Sequence, residues 1–415
     1  MSELIDNSKK RKELLKHLIL QLHEGQAPEE VKSRLAALLG QVPYDVVVEV
    51  EQELIAEGLP QEEVLKLCDV HSAVLKGAID QTGARQAVPG HPAHTFIREN
   101  RELAKVTARL KALSGGTAAD FWDRASAELR LLMDVEKHYS RKENLLFPYL
   151  EKHGVSGPPA VMWGKHDETR GLLARALQAA AQRPGGPADT KRVMEQVLQP
   201  LADSIDEMIF KEENILFPMC LDTLSEAEWY EIWRQSPEVG FCLYDPVDEW
   251  RPAAGETAAP AATAGPAGAA APATAGAQAG RIDLPSGSFA PKELEAVLNS
   301  LTVDLTFVDA EDTVRFFNQA PERIFTRTRA ILGRKVQQCH PPDSVHIVER
   351  ILRDFKSGAQ SRAAFWIQMG GKFVHIEYVA LRDRQGKYLG TLEISQDLAA
   401  RRALQGERRL LNYEG

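Results

Sequence analysis

The residues of this chain best suited to chemistry lie in and around two similar segments. HYSRKENLLFP occupies positions 138–148 and MIFKEENILFP occupies positions 208–218, and each carries acidic residues one to two helical turns before Leu-Phe-Pro. Isolated histidines accompany the two copies: His91, His94, His138, His153 and His166. Residues i and i+4 share a face of a helix, so carboxylates and imidazoles spaced in this way can converge on one point. The pattern predicts a metal site inside a bundle of helices.

Four long helices are predicted to position these residues, at 91–113, 117–151, 160–183 and 188–221. Breaks rich in glycine and proline separate them, including Gly157-Pro158-Pro159, and apolar residues recur every three or four positions within each. Long helices joined by short connections typically pack as an antiparallel four-helix bundle, which can present ligands from every helix. We also expect the proline of each Leu-Phe-Pro to end its helix and so to fix the depth of the ligands.

The remainder of the chain changes character twice. The N-terminal part predicts short amphipathic helices, and a run of Ala, Pro, Gly and Thr after the bundle predicts a linker. After the linker, segments rich in β-branched and aromatic residues predict two strands, several helices and three more strands, which favours an antiparallel sheet with helices on one face. The fold class is therefore multidomain. Its predicted parts are an all-α N-terminal helical domain at 1–82, a four-helix bundle at 88–235, a linker at 252–281, an α+β domain at 286–400 and a C-terminal helix or tail at 401–415.

The composition restricts the class of function. The chain has 415 residues, of which 44% are hydrophobic and 26% charged, and its formal net charge is −9. This acidic balance, without a basic cluster interleaved with aromatics, argues against nucleic-acid binding. No apolar run is long enough to span a bilayer, and the four cysteines form no CxxC pair. We expect a cytoplasmic protein with no membrane partner.

The two segments together resemble the hemerythrin-like (HHE cation-binding) domain. The resemblance rests on the HxxxE-type helix ending in E-x-x-LFP, repeated and separated by a lone helix-borne His, and it covers about residues 88–235. It implies a four-helix bundle in which His and carboxylate side chains hold two irons, and which binds oxygen or nitric oxide or acts as an iron store or sensor. The metal ligands implied by position are His138, His166 and Glu212, with His91 or His94 from the first helix.

The sequence departs from that pattern at three positions. Lys142 stands where the family has the Glu four residues after His138, and Met208 stands where it has the His four residues before Glu212. In the first helix, the usual Glu-His pair reads Glu99-Asn100. An ammonium group cannot bind a metal and repels one.

One hypothesis is that Lys142 takes the place of the second metal charge and pairs with Glu212 or Glu213. A single iron would then remain among His138, His166 and one histidine of the first helix. Another hypothesis is a haem, because His and Met are both good axial ligands, although Met208 also suits plain core packing. Glu143 and Glu213 would hydrogen-bond to the ligands or form surface ion pairs, and His153 would lie at the surface.

The C-terminal part resembles a PAS domain over residues 286–400. The resemblance rests on LTVDLTFVDAEDTVRFFNQAPERIF as the opening hairpin and short helix, ILGRKVQQCHP as the entry to the connecting helix, and YLGTLEISQDLAARRALQ as the last strand. It implies a small ligand or haem, or a module for homodimerisation and signal relay. His340 is the candidate ligand there, ahead of His346 and His375. Elsewhere, Cys68 and His71 share one face of a predicted helix and could share a ligand.

Three functional hypotheses follow from these features. The preferred one is a sensor in which iron in the bundle responds to oxygen, nitric oxide or an oxidant, with the PAS domain relaying the change to a protein partner. The second is an iron-dependent enzyme that reduces nitric oxide or peroxide, or a protein that delivers iron for repair. The sequence shows no flavin or nucleotide fingerprint, so we expect a sensor rather than an enzyme. The third is an interaction scaffold without metal.

Overall fold

The computed structural model describes residues 87–113, 118–252, 280–321 and 323–406, together with scattered residues between 12 and 80. The chain forms two compact units, residues 1–261 with 341–343 and the remainder. Most of the predicted linker, Cys68 and His71 lie outside the described residues. No described helix is both long and apolar enough to cross a membrane.

In the N-terminal part, residues 12–21 are helical, as expected. Two short strands, β1 (Val42–Pro43) and β2 (Ile79–Asp80), pair in parallel. These two-residue strands are a small addition to the predicted helical N-terminal part. Because the paired residues lie far apart in the sequence, no β-hairpin pattern predicts their pairing.

Four helical rods follow, and they pack around a common apolar core as predicted for a bundle. The rods are α1 (Pro92–Lys111); α2 (Ala118–Leu132) continued by α3 (Val135–Arg141) and α4 (Phe147–Lys152); α5 (Gly157–Gln182); and α6 (Pro187–Val193), α7 (Gln199–Lys211) and α8 (Phe217–Thr223). In α1, the buried Phe96, Leu103, Val106 and Leu110 recur at helical spacing. The expected turn at 157–159 is instead the first turn of α5, where prolines are well tolerated.

Three π-helical turns interrupt the second and fourth rods, at Lys142–Leu146, Met194–Leu198 and Glu212–Leu216. Each ends two residues before a proline, namely Pro148, Pro200 or Pro218. Proline lacks an N–H, and its ring collides with the carbonyl of the preceding turn of an α-helix. Widening the turn by one residue relieves the collision, so the motif Leu-x-Pro gives a physical reason for all three π-turns.

Because of these π-turns, the expectation that Pro148 and Pro218 end their helices is wrong. Both rods continue beyond the proline, as α4 and α8. In each copy an asparagine amide binds the backbone carbonyl four residues earlier: Asn144 donates to Ser140 over 2.9 Å and Asn214 donates to Phe210 over 2.8 Å. The two sequence copies therefore build the same local structure.

After the bundle, α9 (Glu226–Val239) begins with a capping box between Ser225 and Glu228. The segment 240–252 then folds back onto the bundle and buries Cys242 and Trp250. The segment begins at Gly240, which ends α9 with a φ of 92°, a conformation that is disfavoured for residues that carry a Cβ.

The second unit contains the predicted antiparallel sheet. Its strands are β5 (Asp304–Asp309), β6 (Val314–Phe317), β7 (Arg362–Met369), β8 (Lys372–Arg382) and β9 (Tyr388–Asp397), in the order β6-β5-β9-β8-β7. The helix α11 (Pro342–Ser357) connects β6 to β7, and its Leu352 packs into a core with Val308, Val314 and Val336. The predicted order of two strands, helices and three strands is confirmed.

Smaller elements precede and follow this sheet. A hairpin of β3 (Ile282–Leu284) and β4 (Gly287–Phe289) leads into α10 (Pro291–Asn299), and α12 (Ala399–Arg402) follows β9. Where β5 and β9 pair, a Cβ at Gly390 would overlap the carbonyl oxygen of Val308. Only glycine fits at this approach of the two strands.

Candidate functional site

The centre of the bundle holds five ionisable side chains that we call the buried charge cluster: Glu99, His138, Arg141, Lys142 and Glu212. Each is at most 1% exposed. They come from three rods. Glu99 lies on α1, and Glu212 begins the third π-turn, in the fourth rod. The other three lie on the second rod. Charged side chains are rarely buried without partners, so the pairing within the cluster determines what it can do.

His138 bridges the two carboxylates of the cluster. Its Nδ1 lies 2.7 Å from Oε2 of Glu99, and its Nε2 lies 3.0 Å from Oε2 of Glu212. The ring of Phe96 packs edge-on against the imidazole at 5.1 Å. Both ring nitrogens therefore face a carboxylate oxygen, and the imidazole is held between α1 and the fourth rod.

Each carboxylate also has its own cation. The guanidinium of Arg141 donates to Glu99, and the ammonium of Lys142 donates to Oε1 of Glu212. The backbone N–H of Cys242 donates to the other oxygen of Glu99 over 2.6 Å. Burial acts to raise the pKa of Glu212, but Lys142 and His138 outweigh it and lower the pKa to about 2. Each of the two carboxylates is thus paired with a cation without a metal.

The Lys142–Glu212 pair joins equivalent positions of the two sequence copies. Each residue is the first of its π-turn, and each lies six residues before the proline of its Leu-Phe-Pro. Met208, 2% exposed, holds in the second copy the position that His138 holds in the first. Each copy thus carries one half of an H-x-x-x-E pair, and these two halves, His138 and Glu212, contact each other. Of the two carboxylates considered for Lys142, the structure selects Glu212 over Glu213.

His166 lies on α5 and is completely buried. Its Nδ1 lies 2.7 Å from Oε1 of Glu143, which Arg170 also binds through both Nη atoms, and its ring stacks on Tyr139 at 4.0 Å. Burial, followed by the charge of Lys142, holds the pKa of His166 well below its usual value. Burial raises the pKa of Glu143 to about 7, against the opposing effect of Arg170.

We therefore assign His166 as a neutral imidazole that donates its Nδ1–H to Glu143. Its Nε2 is buried and has no hydrogen-bond partner among the described residues. An imidazole held by a carboxylate at one nitrogen, with the lone pair of the other nitrogen free, is the arrangement that metal-binding histidines adopt. Of the two interpretations of Glu143, the structure supports the one in which it hydrogen-bonds to a candidate ligand.

The two histidines at the start of the first rod lie apart from the cluster. His91 caps α1, its Nδ1 accepting the N–H of Ala93 over 3.1 Å, and its ring packs between Trp229 at 4.6 Å and Trp250 at 4.8 Å. It precedes Glu99 by eight residues, which is about 12 Å along a helix. His94 is half-buried one turn further along, and burial, followed by Arg98, lowers its pKa. The first rod therefore brings Glu99, rather than His91 or His94, to His138.

The surroundings of His91 predict a pH dependence of stability. Burial lowers its pKa to about 4, so below pH 6.5 the unfolded chain binds a proton that the folded chain does not. The free energy of unfolding should therefore fall by up to about 3 kcal/mol between pH 6.5 and pH 4 and stay level for this group above pH 6.5. His91→Asn replaces the capping Nδ1 by an amide oxygen and removes the titration, so the stability from its urea-denaturation curves should depend less on pH over that range. An unchanged slope would contradict this assignment.

The remaining predicted site residues occupy supporting or peripheral positions. Glu213 is half-buried, and burial raises its pKa. His153 is 38% exposed in its side chain and lies 3.0 Å from Glu228, as expected of a surface residue. Sequence reasoning did not identify Arg141 and Arg170 as cations of the site, nor Glu99 as a partner of His138. The available signal was the Arg-Lys pair at 141–142, which requires two buried carboxylates once both basic residues are placed inside the bundle.

A pocket of about 240 Å³ opens beside the cluster, within the same unit. It is lined by Thr95, Arg141, Trp233, Pro237, Phe241 and Val247, among others. The guanidinium of Arg141 lies 4.9 Å from the ring centroid of Phe241 and 4.5 Å from that of Phe96. The pocket is large enough for a small molecule, and Arg141 connects its wall to Glu99.

By residue type, the donors present match the set for one metal ion and not the set for two. For one ion the chain offers two imidazoles and a carboxylate, with the Nε2 of His166 buried and open. For a second ion, Lys142 and Met208 replace a carboxylate and an imidazole in the matching positions of the copies. As the side chains stand, no group of three His, Cys, Asp or Glu residues in the described part of the chain is arranged to hold a metal. Both oxygens of Glu212 are already engaged, by Lys142 and by His138.

In the second unit, His340 lines a small cavity with Val308, Leu352, Tyr378 and Glu393. Its Nδ1 lies 2.8 Å from the carbonyl oxygen of Val336, and burial lowers its pKa. The cavity measures about 20 Å³, which is room for about one water molecule and far less than a haem requires. His340 is thus a half-buried structural residue beside a largely apolar cavity.

Comparison with protein families identifies three domains. The hemerythrin HHE cation binding domain matches residues 91–220, a PAS domain matches residues 294–399, and a family of unknown function, DUF438, matches residues 15–81. The chain therefore contains a hemerythrin HHE domain between a DUF438 domain and a C-terminal PAS domain. These domains support a metal-binding role in sensing or signalling, and PAS domains commonly mediate dimerisation or protein interaction. No curated protein matches the sequence significantly.

Solved structures are similar to parts of the chain. The C-terminal domain of a Streptococcus mutans protein is 29% identical over 30% of this chain and 97% of its own, with a TM-score of 0.29. A PAS domain from Colwellia psychrerythraea is 16% identical over 26% of this chain and 97% of its own, with a TM-score of 0.22. The PAS domain of Bordetella pertussis BvgS is 16% identical over 26% of this chain and 84% of its own, also with a TM-score of 0.22.

Proposed function

We propose that this protein is a cytoplasmic sensor in which the hemerythrin-like bundle binds a single metal ion, iron, and the PAS domain relays the state of that site to a protein partner. The proposed ligands are His138, His166 and Glu212. The stimulus would be oxygen, nitric oxide or an oxidant acting at the iron. In the described part of the chain, the buried thiols of Cys220, Cys242 and Cys339 form no disulfide, which suits a reducing compartment such as the cytoplasm.

The observation that carries this proposal is the environment of His166. The imidazole is fully buried and fixed at Nδ1 by Glu143, yet its Nε2 has no partner among the described residues, which packing alone does not explain. Tyr139 and Phe147 fix the plane of its ring by stacking on it. The cost of leaving a buried ring nitrogen without a partner is offset if that nitrogen binds a metal.

The chain's own residues give this site a way to communicate with the rest of the bundle. Glu99 joins α1, His138 and the returning segment at Cys242, so one carboxylate holds three parts of the unit together. Any change at Glu212 reaches Glu99 through the two nitrogens of His138. A shift of this hydrogen-bonded set between two arrangements would change the packing of the outer segment, as population shift requires. The PAS domain would convert that change into an altered protein contact, including a possible homodimer.

The test is the metal content and the ultraviolet–visible spectrum of the full chain purified without oxygen. We expect about one iron per chain, with affinity at least about ten-fold weaker in His166→Ala and in His138→Ala. His153→Ala, which changes a surface histidine, should keep the iron of the wild-type protein. A Soret band in the spectrum would indicate that the bound group is haem and not non-haem iron. Iron that is retained in both buried-histidine variants would contradict the proposed ligands.

The charge balance of the cluster supports one alternative, a bundle that works as an interaction scaffold without metal. Absence of metal after anaerobic reconstitution with Fe(II), in a protein that is folded by circular dichroism, would favour that alternative. The enzymatic hypothesis would require turnover of nitric oxide or peroxide with a reductant, measured on the iron-loaded full chain.

A further inference from the structure

Lys142 binds one of the two oxygens of Glu212, a proposed metal ligand. In the charge cluster, Lys142 is completely buried, and its ammonium binds Oε1 of Glu212. The other oxygen of that carboxylate faces His138. Both oxygens of Glu212 are therefore engaged, and a metal ion at this carboxylate would compete with these two contacts.

Lys142 and Glu212 come from the two sequence copies and face each other across the bundle. An ammonium at this point supplies the positive charge that a metal ion would otherwise supply to the same carboxylate. Its Nζ also lies 4.6 Å from the ring centroid of Tyr139. An aromatic face is a second site that can hold an ammonium inside the bundle.

We infer that Lys142 is an internal cation that occupies Glu212 in the metal-free protein, and that a divalent metal ion binds by displacing its ammonium from that carboxylate. This inference rests on the proposed function and names the residue that sets the affinity and number of the metal ions. Two properties follow. The bundle folds without metal because Lys142 balances Glu212, and the metal binds weakly because it must compete with Lys142.

The two properties change in opposite directions when the ammonium is removed. In Lys142→Met, a side chain of similar length carries no charge, so the metal no longer has a competitor at Glu212. We expect anaerobic titration of the full chain with Fe(II) to show an affinity at least about ten-fold higher than in the wild-type protein. We also expect the midpoint of thermal unfolding, measured with chelator present, to fall below that of the wild-type protein. A purely structural lysine would lower both quantities.

Two further variants keep the test decisive. Lys142→Arg retains a cation and should bind Fe(II) no more tightly than the wild-type protein, while the chelated protein stays folded. Lys152→Met makes the same chemical change later in the same rod, where the ammonium lies over Tyr149 at 4.5 Å, and should leave the Fe(II) affinity unchanged. If Lys142→Met is folded but binds Fe(II) no better than the wild-type protein, the inference is overturned.

The results for the wild-type protein and for Lys142→Met together distinguish failure of this inference from failure of the proposed function. A wild-type protein that takes up no iron, beside a Lys142→Met variant that does, would support displacement by Lys142 and contradict an iron sensor. Iron in the wild-type protein with equal affinity in the variant would support the sensor and overturn the inference. If neither protein binds Fe(II), both are overturned. If Lys142→Met does not fold even with metal present, Lys142→Arg decides, because tighter binding in that variant would contradict competition by the cation.

Discussion

Replacing Arg141 with methionine is expected to lower the free energy of unfolding of the bundle by about 3–5 kcal/mol. Arg141 is 1% exposed and its guanidinium binds Glu99, which is itself fully buried. Removing the guanidinium leaves a carboxylate inside the bundle with only His138 and the Cys242 N–H as partners. The cost is that of an uncompensated buried charge, together with the lost stacking of the guanidinium on Phe96 and Phe241. Urea denaturation followed by circular dichroism measures it.

The matched control is Arg109→Met in α1, the rod that carries Glu99. Arg109 is 49% exposed in its side chain and pairs with Glu128 over 2.8 Å, so the same substitution there should cost no more than about 1 kcal/mol. The second arm is the double variant Arg141→Met with Glu99→Gln, which removes both charges. It should recover part of the lost stability, because the glutamine no longer carries a buried charge without a cation. Equal losses at Arg141 and Arg109 would show that the cluster does not depend on charge pairing.

The bundle could be predicted because its signals are local. Apolar residues at helical spacing give the rods, and the duplicated segment places Lys142 and Glu212 at matching heights. Their pairing follows once two matching segments face each other in an antiparallel bundle. The sheet of the second unit was predictable for the same reason, because short β-rich segments and their order along the chain specify the strands.

Other features of the site depend on contacts between distant residues. Glu99 and His138 are 39 residues apart, and Glu99 and Cys242 are 143 residues apart. No spacing rule connects such pairs, so sequence reasoning assigned the first-rod ligand to His91 or His94. His91 does carry a local signal, since it directly precedes Pro92 and an N-cap is commonly followed by proline. The same kind of signal, Leu-x-Pro, accounts for the π-turns, yet proline was read as an end of the helix because that is its usual effect.

The number of metal ions that the bundle holds should rise when the two copies are made alike. Lys142→Glu and Met208→His, introduced together, give each of the two rods an H-x-x-x-E pair at matching positions. The repeated local structure, with a π-turn and an asparagine bridge in each copy, places the new side chains at equivalent heights. We expect the count, measured by mass spectrometry and anaerobic Fe(II) titration, to increase from at most one ion per bundle to two. The matched control, Lys152→Glu with Met219→His, changes the same residue types in α4 and α8 and should leave the count unchanged.

The same double variant should also make folding depend on metal. With Lys142 replaced by a carboxylate, three buried carboxylates face the single cation Arg141, and only bound metal ions can balance the excess negative charge. The metal-free variant should therefore be less stable than the wild-type protein, and saturating Fe(II) should raise its stability by about 4 kcal/mol at a thousand times the dissociation constant. In the wild-type protein Lys142 already balances Glu212, so a chelator should shift the midpoint of thermal unfolding far less. A folded double variant that binds no more ions than the wild-type protein would show that Lys142 and Met208 do not stand where a second metal ion would bind.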